Sequence, residues 1–229
     1  DLPAEGPLRI CDLCCGKSYL SFATYHYFAN ILGREVRMTG VDLSRDMLSQ
    51  AAQKARDAGL EIPFVCQDMC HLQLHRRQDA ILCTCDGVNY LTTPDRARRF
   101  FRAAYAQLKP GGALIFDVST PEKLSGTLGD HTLGCQEEDI SYIWQNAYHP
   151  RTRTVDMRLS IFVGDTDGRY QRLEETQTQR AHTLEELTKY LAEAGFADIR
   201  AYGKLALRAP RPGDERWHIR AIRPKENAK

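Results

Sequence analysis

Residues 8–18, LRICDLCCGKS, limit what this chain can fold into more than any other stretch. Leu8, Ile10, Cys11 and Leu13 form a short apolar run. An acidic residue, Asp12, and a turn of small residues close it, and Tyr-Leu-Ser-Phe-Ala then opens a helical pattern. The pattern predicts a buried strand, a turn and a helix N-terminus. In open α/β sheets, ligands bind beyond the carboxyl end of such a first strand.

The following residues repeat the alternation. A helix is expected over 19–32, stopped by Gly33, and a strand over 36–42, ending in Asp42. Ser44 is a suitable N-cap for a helix over 45–58, with Gly59 as its terminator. Strands are expected over 62–66, followed by Gln67 and Asp68, and over 80–83. Thr93 would cap a helix over 94–108 that has Pro94 in its first turn. A turn at Lys109-Pro110-Gly111-Gly112 then precedes a strand over 113–118. Strands alternating with helices imply a doubly wound parallel sheet covered on both faces.

The rhythm breaks at Ser119. Three stretches, 140–149, 154–163 and 170–182, then alternate with period two, and Asp165-Thr166-Asp167-Gly168 is a hairpin turn signal. In 154–163, Val155, Met157, Leu159, Ile161 and Val163 share one face, opposite Asp156, Arg158 and Ser160. This is the pattern of an inserted antiparallel β subdomain. Thr183 caps a final helix, with Glu185 and Glu186 in its first turn and Gly195 at its end. Strands at 198–202 and 217–222 would complete a seven-stranded sheet. The expected division is a core over 1–119, the insertion over 120–182, and a returning helix with two strands over 183–229.

A chain of 229 residues with 42% hydrophobic content can bury one large core. A net charge of +1 gives no global electrostatic case for nucleic acid or an acidic membrane. No apolar run is long enough to span a bilayer, and residues 1–7 lack the features of a secretory signal, so a cytoplasmic protein is expected. The chain enters its first strand early and does not begin with Met, so its true N-terminus is expected to have been removed. Of the eight cysteines, Cys11, Cys14, Cys15, Cys66, Cys83 and Cys85 fall in or beside expected buried strands, where reduced thiols act as small hydrophobes. The tail over 225–229 is expected to fray.

Three ligands compete for the first turn. A dinucleotide turn needs G-x-G-x-x-G, and only Gly16 is present. Gly16-Lys17-Ser18 ends like a phosphate-binding loop, but Cys11 stands inside the strand where the first glycine belongs. The third ligand is S-adenosylmethionine. Asp12-Leu13-Cys14-Cys15-Gly16 resembles the D-x-G-x-G signature of the class I S-adenosylmethionine-dependent methyltransferases. Further segments resemble that family in the expected order: Val41-Asp42-Leu43-Ser44 with Met47-Leu48, Gln67-Asp68-Met69, Cys83-Thr84-Cys85-Asp86, and Leu108-Lys109-Pro110-Gly111-Gly112. The insertion is similar to that of the glycine and aminosugar N-methyltransferases, where it walls the substrate site.

The resemblance implies a Rossmann-like methyltransferase sheet, S-adenosylmethionine as cofactor and S-adenosylhomocysteine as product. Asp42 would take the ribose diol, Asp68 the adenine amino group beside the Met69 backbone, and Leu43 and Met47 the adenine faces. Asp12, Cys14, Gly16 and Ser18 would form the turn at the methionyl group, and Thr84 and Cys85 would line it through backbone groups. Cys14 and Ser18 replace expected glycines. Lys17 either attracts the methionyl carboxylate or is solvated.

On the acceptor side, Asp86 and Tyr90 are the candidate catalytic residues, with Asn89 beside them. A base is needed only if the acceptor must first lose a proton. Tyr142, Trp144 and Tyr148 share a face of the insertion that either fronts the sulfonium or packs on the main sheet. His149 and His182 are read as surface histidines. No zinc-knuckle spacing links the cysteines and histidines, so no metal is expected. The Arg96, Arg98, Arg99 and Arg102 set is read as a solvated helix face.

The expected function is methyl transfer to a nitrogen or oxygen of a small molecule by a monomer or homodimer. The alternatives are an RNA methyltransferase, which would lack any extra RNA-binding module, and a cofactor-binding protein without transferase activity.

Overall fold

The computed structural model describes residues 6–203 and 207–225. The tail expected to fray falls, apart from Lys225, outside the described residues, as do residues 1–5. Two sheets organise the chain. The larger has the order β10-β11-β5-β4-β1-β2-β3. Its members are β1 (Leu8–Leu13), β2 (Val36–Asp42), β3 (Phe64–Cys66), β4 (Gln78–Cys83), β5 (Leu108–Ser119), β10 (Ala197–Gly203) and β11 (Arg216–Ile222). The β1–β2, β2–β3, β1–β4 and β4–β5 pairs are parallel, and β11 is antiparallel to both neighbours. The seven-stranded sheet read from the sequence is therefore present, with β4 at its centre and β1 between β4 and β2.

Helices cover both faces. On one, Phe22 and Phe28 after β1 pack on Leu8, Ile10, Val36 and Met38. On the other, α3 (Pro94–Gln107) and α4 (Leu184–Glu193) bury Phe100, Phe101, Leu187 and Leu191 against Ile81, Phe116 and Ile219. Burying each such side chain stabilises the fold by about 2 kcal/mol. Ser44 accepts from the Met47 amide to cap α2 (Arg45–Asp57). Thr183 and Glu186 form a reciprocal capping box on α4.

Several expectations change in detail. The helix after the first turn holds α geometry only as α1 (Tyr19–His26); a wider turn over Tyr27–Ile31 then brings the Leu32 amide to the Tyr27 carbonyl at 3.0 Å. Helix 94–108 stops at Gln107 because Leu108 already pairs with Gln78. The turn expected at Lys109-Gly112 lies within β5 as a bulge, since Gln78 pairs with Leu108 but Ala80 pairs with Ala113. Glycine suits this bulge: a Cβ on Gly112 would meet the Lys109 carbonyl at 2.9 Å.

The insertion has four strands, in the order β6-β7-β8-β9: β6 (Thr132–Gln136), β7 (Ile140–His149), β8 (Thr154–Gly164) and β9 (Tyr170–Arg180). The sequence reading missed β6, a five-residue edge strand that is mostly exposed and has little alternation to reveal it. Trp144 and Tyr148 pack on Leu124, Leu128, Val155 and Met157, so these two aromatics serve the insertion's own core rather than a sulfonium. His182 is a correction: it is fully buried where β9 hands over to α4, not on the surface. Cys66 and Cys85 are also corrections, since both are exposed at strand ends. All eight cysteines are free, and among the described residues no cluster of three or more His, Cys, Asp or Glu side chains could hold a metal. No described helix is long and apolar enough to cross a membrane.

Candidate active site

The carboxyl ends of β1, β2, β3 and β4 converge on one cleft of about 720 Å3. The turn after β1 forms its floor. Cys14, Gly16 and Ser18 all take left-handed backbone conformations, with φ of 54°, 51° and 62°. The turn thus keeps the alternating left-handed geometry that glycines adopt freely, although two of the three residues carry a Cβ. A left-handed L-residue costs about 1 kcal/mol. The Ser18 hydroxyl is buried and, among the described residues, has no partner beyond the neighbouring Cys15 thiol. Packing from the next loop holds the turn down: a Cβ on Gly87 would lie 2.8 Å from Cys83 Sγ and 3.1 Å from Cys14 Sγ.

Two carboxylates anchor the cleft from below and behind. Asp12 is buried and accepts from Ser21 Oγ at 2.6 Å, tying β1 to α1. Burial pushes its carboxyl up to about 6 against the pull of the Ser21 hydrogen bonds. Asp42 ends β2. Its Oδ2 accepts from the Gly16 amide at 2.9 Å and its Oδ1 from the Ser44 amide at 2.8 Å. Each oxygen retains a second acceptor site for a ligand.

Leu43 and Met47 line the cleft while 68% and 40% exposed, so two apolar side chains stand open to whatever enters. Asp68 and Met69 line the same wall. Asp68 Oδ1 accepts from the Cys70 amide at 2.9 Å, and its Oδ2 lies 3.4 Å from Arg96 Nη2. Partial burial opposes its ionised form, but the Cys70 amide and the Arg96 charge prevail and hold it below the usual carboxylate range. Arg96 therefore faces the cleft, which the reading of its helix as a solvated face did not anticipate.

The end beyond β4 is built on a tight turn. Cys85 and Asp86 are both left-handed, with φ of 57° and 63°. Asp117, buried near the end of β5, accepts from both of their amides, at 3.2 and 2.8 Å. Arg216 on β11 reaches Asp86 Oδ1 at 2.6 Å and Asp117 Oδ1 at 2.9 Å. Burial works against the Arg216 charge, yet the two carboxylates raise its basicity overall. Buried Asn89 joins the Ser119 backbone to the Arg180 carbonyl, coupling this turn to β9. Tyr90 lines the cleft and donates to Gln177 Oε1 on β9 at 2.5 Å. Burial leads in raising its phenol, and the Asp86 and Glu175 charges add to the effect.

Of the residues singled out from the sequence, Cys14, Gly16, Asp42, Leu43, Met47, Asp68, Met69, Cys85 and Tyr90 line this cleft. Asp12, Ser18, Thr84 and Asp86 are not among its lining residues: Asp12 and Ser18 are buried beneath it, and Asp86 turns to Arg216. The reading missed Gln67, Arg96, Glu175 and Gln177 on the lining, and Asp117 and Arg216 behind it. Glu175 and Gln177 alternate toward the cleft along β9, a signal present in the sequence. The fold alone brings Arg216 to Asp86.

Comparison with known proteins agrees with this geometry. Residues 10–112 match the family model described as "Methyltransferase domain". The Bacillus subtilis (strain 168) protein named "Putative methyltransferase YqeM" is 34% identical over 225 residues, covering 98% of this chain and 87% of that protein. The crystal structure of a S-adenosylmethionine-dependent methyltransferase from Clostridium acetobutylicum ATCC 824 superposes with a TM-score of 0.85 at 29% identity, covering 95% of this chain and 84% of that one. S-adenosylmethionine-bound CalS10, an amino pentose methyltransferase from Micromonospora echinaspora, shares the fold with a TM-score of 0.67 at 24% identity, over 94% and 83% of the two chains. With the strand order, the left-handed first turn and the acid at the end of β2, these matches make the chain a member of the class I S-adenosylmethionine-dependent methyltransferases.

Proposed function

We propose that the cleft holds S-adenosylmethionine by its ribose at Asp42 and its adenine beside Asp68, and that the acceptor is a nitrogen or oxygen of a small molecule bound below β9. The observation that carries this reading is the shared cleft: Gly16, Asp42, Asp68, Cys85 and Tyr90, from successive strand ends, meet Glu175 and Gln177 of the insertion around one bounded space. A diol needs a paired acceptor, and Asp42 keeps acceptor capacity on both oxygens. Leu43 and Met47 offer apolar cover to a flat base, and Asp68 offers an acceptor to its amino group. The left-handed turn at Cys14–Ser18 leaves backbone groups for the methionyl end, with Asp12 and Ser21 fixing it from beneath.

When bound, the cofactor supplies a methyl group already activated on a cationic sulfonium, so orientation can account for most of the rate. The chain's own part is to position and to exclude water. Asp117 and Arg216 fix the Cys85–Asp86 turn, and Tyr90 is held toward β9 by Gln177. Asp86 thereby shapes the turn rather than acting as a base.

A small acceptor fits better than RNA because three of the four α3 arginines are paired with carboxylates. Arg96 meets Asp68, Arg98 meets Glu193 and Arg99 meets Asp95. Free cysteines accord with a reducing cytoplasm. The test supplies S-adenosylmethionine carrying a labelled methyl group, with a panel of small amines and alcohols in one reaction and bulk cellular RNA in another. Label in a small molecule is expected; label confined to RNA contradicts the reading.

A further inference from the structure

We infer that Glu175 on β9 selects the acceptor, holding a cationic amine at the insertion side of the cleft. This rests on the cofactor reading above and adds the acceptor's charge and the residue that reads it.

Six carboxylates surround the cleft and its turns, and the protein itself engages five of them, Asp12 through Ser21 and Asp117 through the Cys85 and Asp86 amides. Asp42 accepts two backbone amides, Asp68 takes the Cys70 amide and Arg96, and Asp86 meets Arg216. Glu175 differs. It lines the cleft, accepts only from Gln177 Nε2, and among the described residues has no cationic side chain within ion-pair distance. Its neighbour Glu174, which points to the opposite face, pairs with Arg172. Gln177 in turn accepts from Tyr90 at 2.5 Å, so a hydrogen-bonded chain Tyr90–Gln177–Glu175 fixes the carboxylate relative to the turn after β4.

The surroundings suit an amine on an apolar body. In the β8–β9 register Glu175 stands opposite Leu159, and Leu173 opposite Ile161 one row further out. Leu173 is 46% exposed, so apolar surface is open beside the charge. An alkylammonium would make a charge-assisted hydrogen bond with Glu175 that a hydroxyl of the same shape could not match. The ammonium gives one proton to solvent to free its lone pair. That pair forms the N–C bond, the C–S pair stays on sulfur, and the product is again an ammonium that Glu175 can hold. The net release is one proton per transfer.

The probes are cyclohexylammonium and its neutral analogue cyclohexanol, titrated at low ionic strength into the full chain saturated with S-adenosylhomocysteine. The wild type should bind the ammonium about fivefold tighter than the alcohol, as for a solvent-accessible ion pair. Glu175→Gln should abolish that preference, and Glu175→Asp should retain part of it. Thermal unfolding of both variants controls for the fold. Equal binding of the two probes, no binding of the ammonium, or an unchanged preference in Glu175→Gln would overturn the inference while leaving the cofactor reading intact. Failure of S-adenosylhomocysteine to saturate the wild type would overturn both.

Discussion

The Gly16 amide donates to Asp42 Oδ2 at 2.9 Å, so the residue proposed to meet the ribose also fixes the turn proposed to meet the methionyl group. On that proposal one carboxylate sets both halves of the cofactor site. Asp42→Asn keeps the size, removes the charge and leaves one acceptor oxygen for the two backbone amides. It should weaken S-adenosylhomocysteine binding by about 2 kcal/mol, the worth of a charge-assisted hydrogen bond. The thermal shift at saturating ligand should shrink accordingly. An unchanged shift would remove Asp42 from the site.

Ser18 carries both a left-handed backbone and a buried hydroxyl that, among the described residues, meets only a thiol. Ser18→Gly relieves both and should stabilise the protein by about 1 kcal/mol, read as a higher urea midpoint. Cys14→Gly should gain less, because Cys14 also packs against Met69 and Gly87. A destabilised Ser18→Gly variant would show that the hydroxyl contributes more than the strain costs.

Two buried groups oppose each other in their dependence on pH. Burial raises Asp12 from 3.8 to about 6, so the folded chain holds the proton more tightly and stability falls as pH rises through that window. Burial and the nearby Arg180 charge lower His182 from 6.5 to about 4, so the unfolded chain holds that proton more tightly and stability rises over nearly the same window. Their contributions largely cancel in the wild type. Asp12→Asn should therefore make stability rise more steeply between pH 4 and 6, and His182→Gln should flatten or reverse that rise. Urea unfolding at several pH values reads both slopes. Identical slopes in all three proteins would contradict the assignment.

Arg216 compensates two carboxylates, one of them almost fully buried. Arg216→Met should cost about 3 kcal/mol at neutral pH, because it leaves Asp86 and Asp117 facing each other. Part of the loss should return on acidification as one carboxyl takes up a proton. A loss equal at all pH values would mean that Arg216 acts by packing alone.

Most of the sheet was legible because its strands are short apolar runs closed by acids, glycines and caps. Val36–Asp42 and Ile140–His149 coincide with the strands read from pattern alone. The cleft was legible wherever a motif follows a strand, as at Asp42 and Asp68. What stayed hidden depends on tertiary contact. Arg216 is separated by some 130 residues of chain from the Asp86 it meets. His182 reads as polar yet is buried by the return of β9 onto the core. The unusual Cys14 and Ser18 make sense only with their φ values, which show the backbone keeping a glycine-like turn at some cost in strain.

The cleft at the strand ends is proposed to be the cofactor site. Calorimetric titration of the folded full chain with S-adenosylhomocysteine tests it most directly. Saturable binding at one site per chain is predicted; no binding at millimolar ligand would contradict the account.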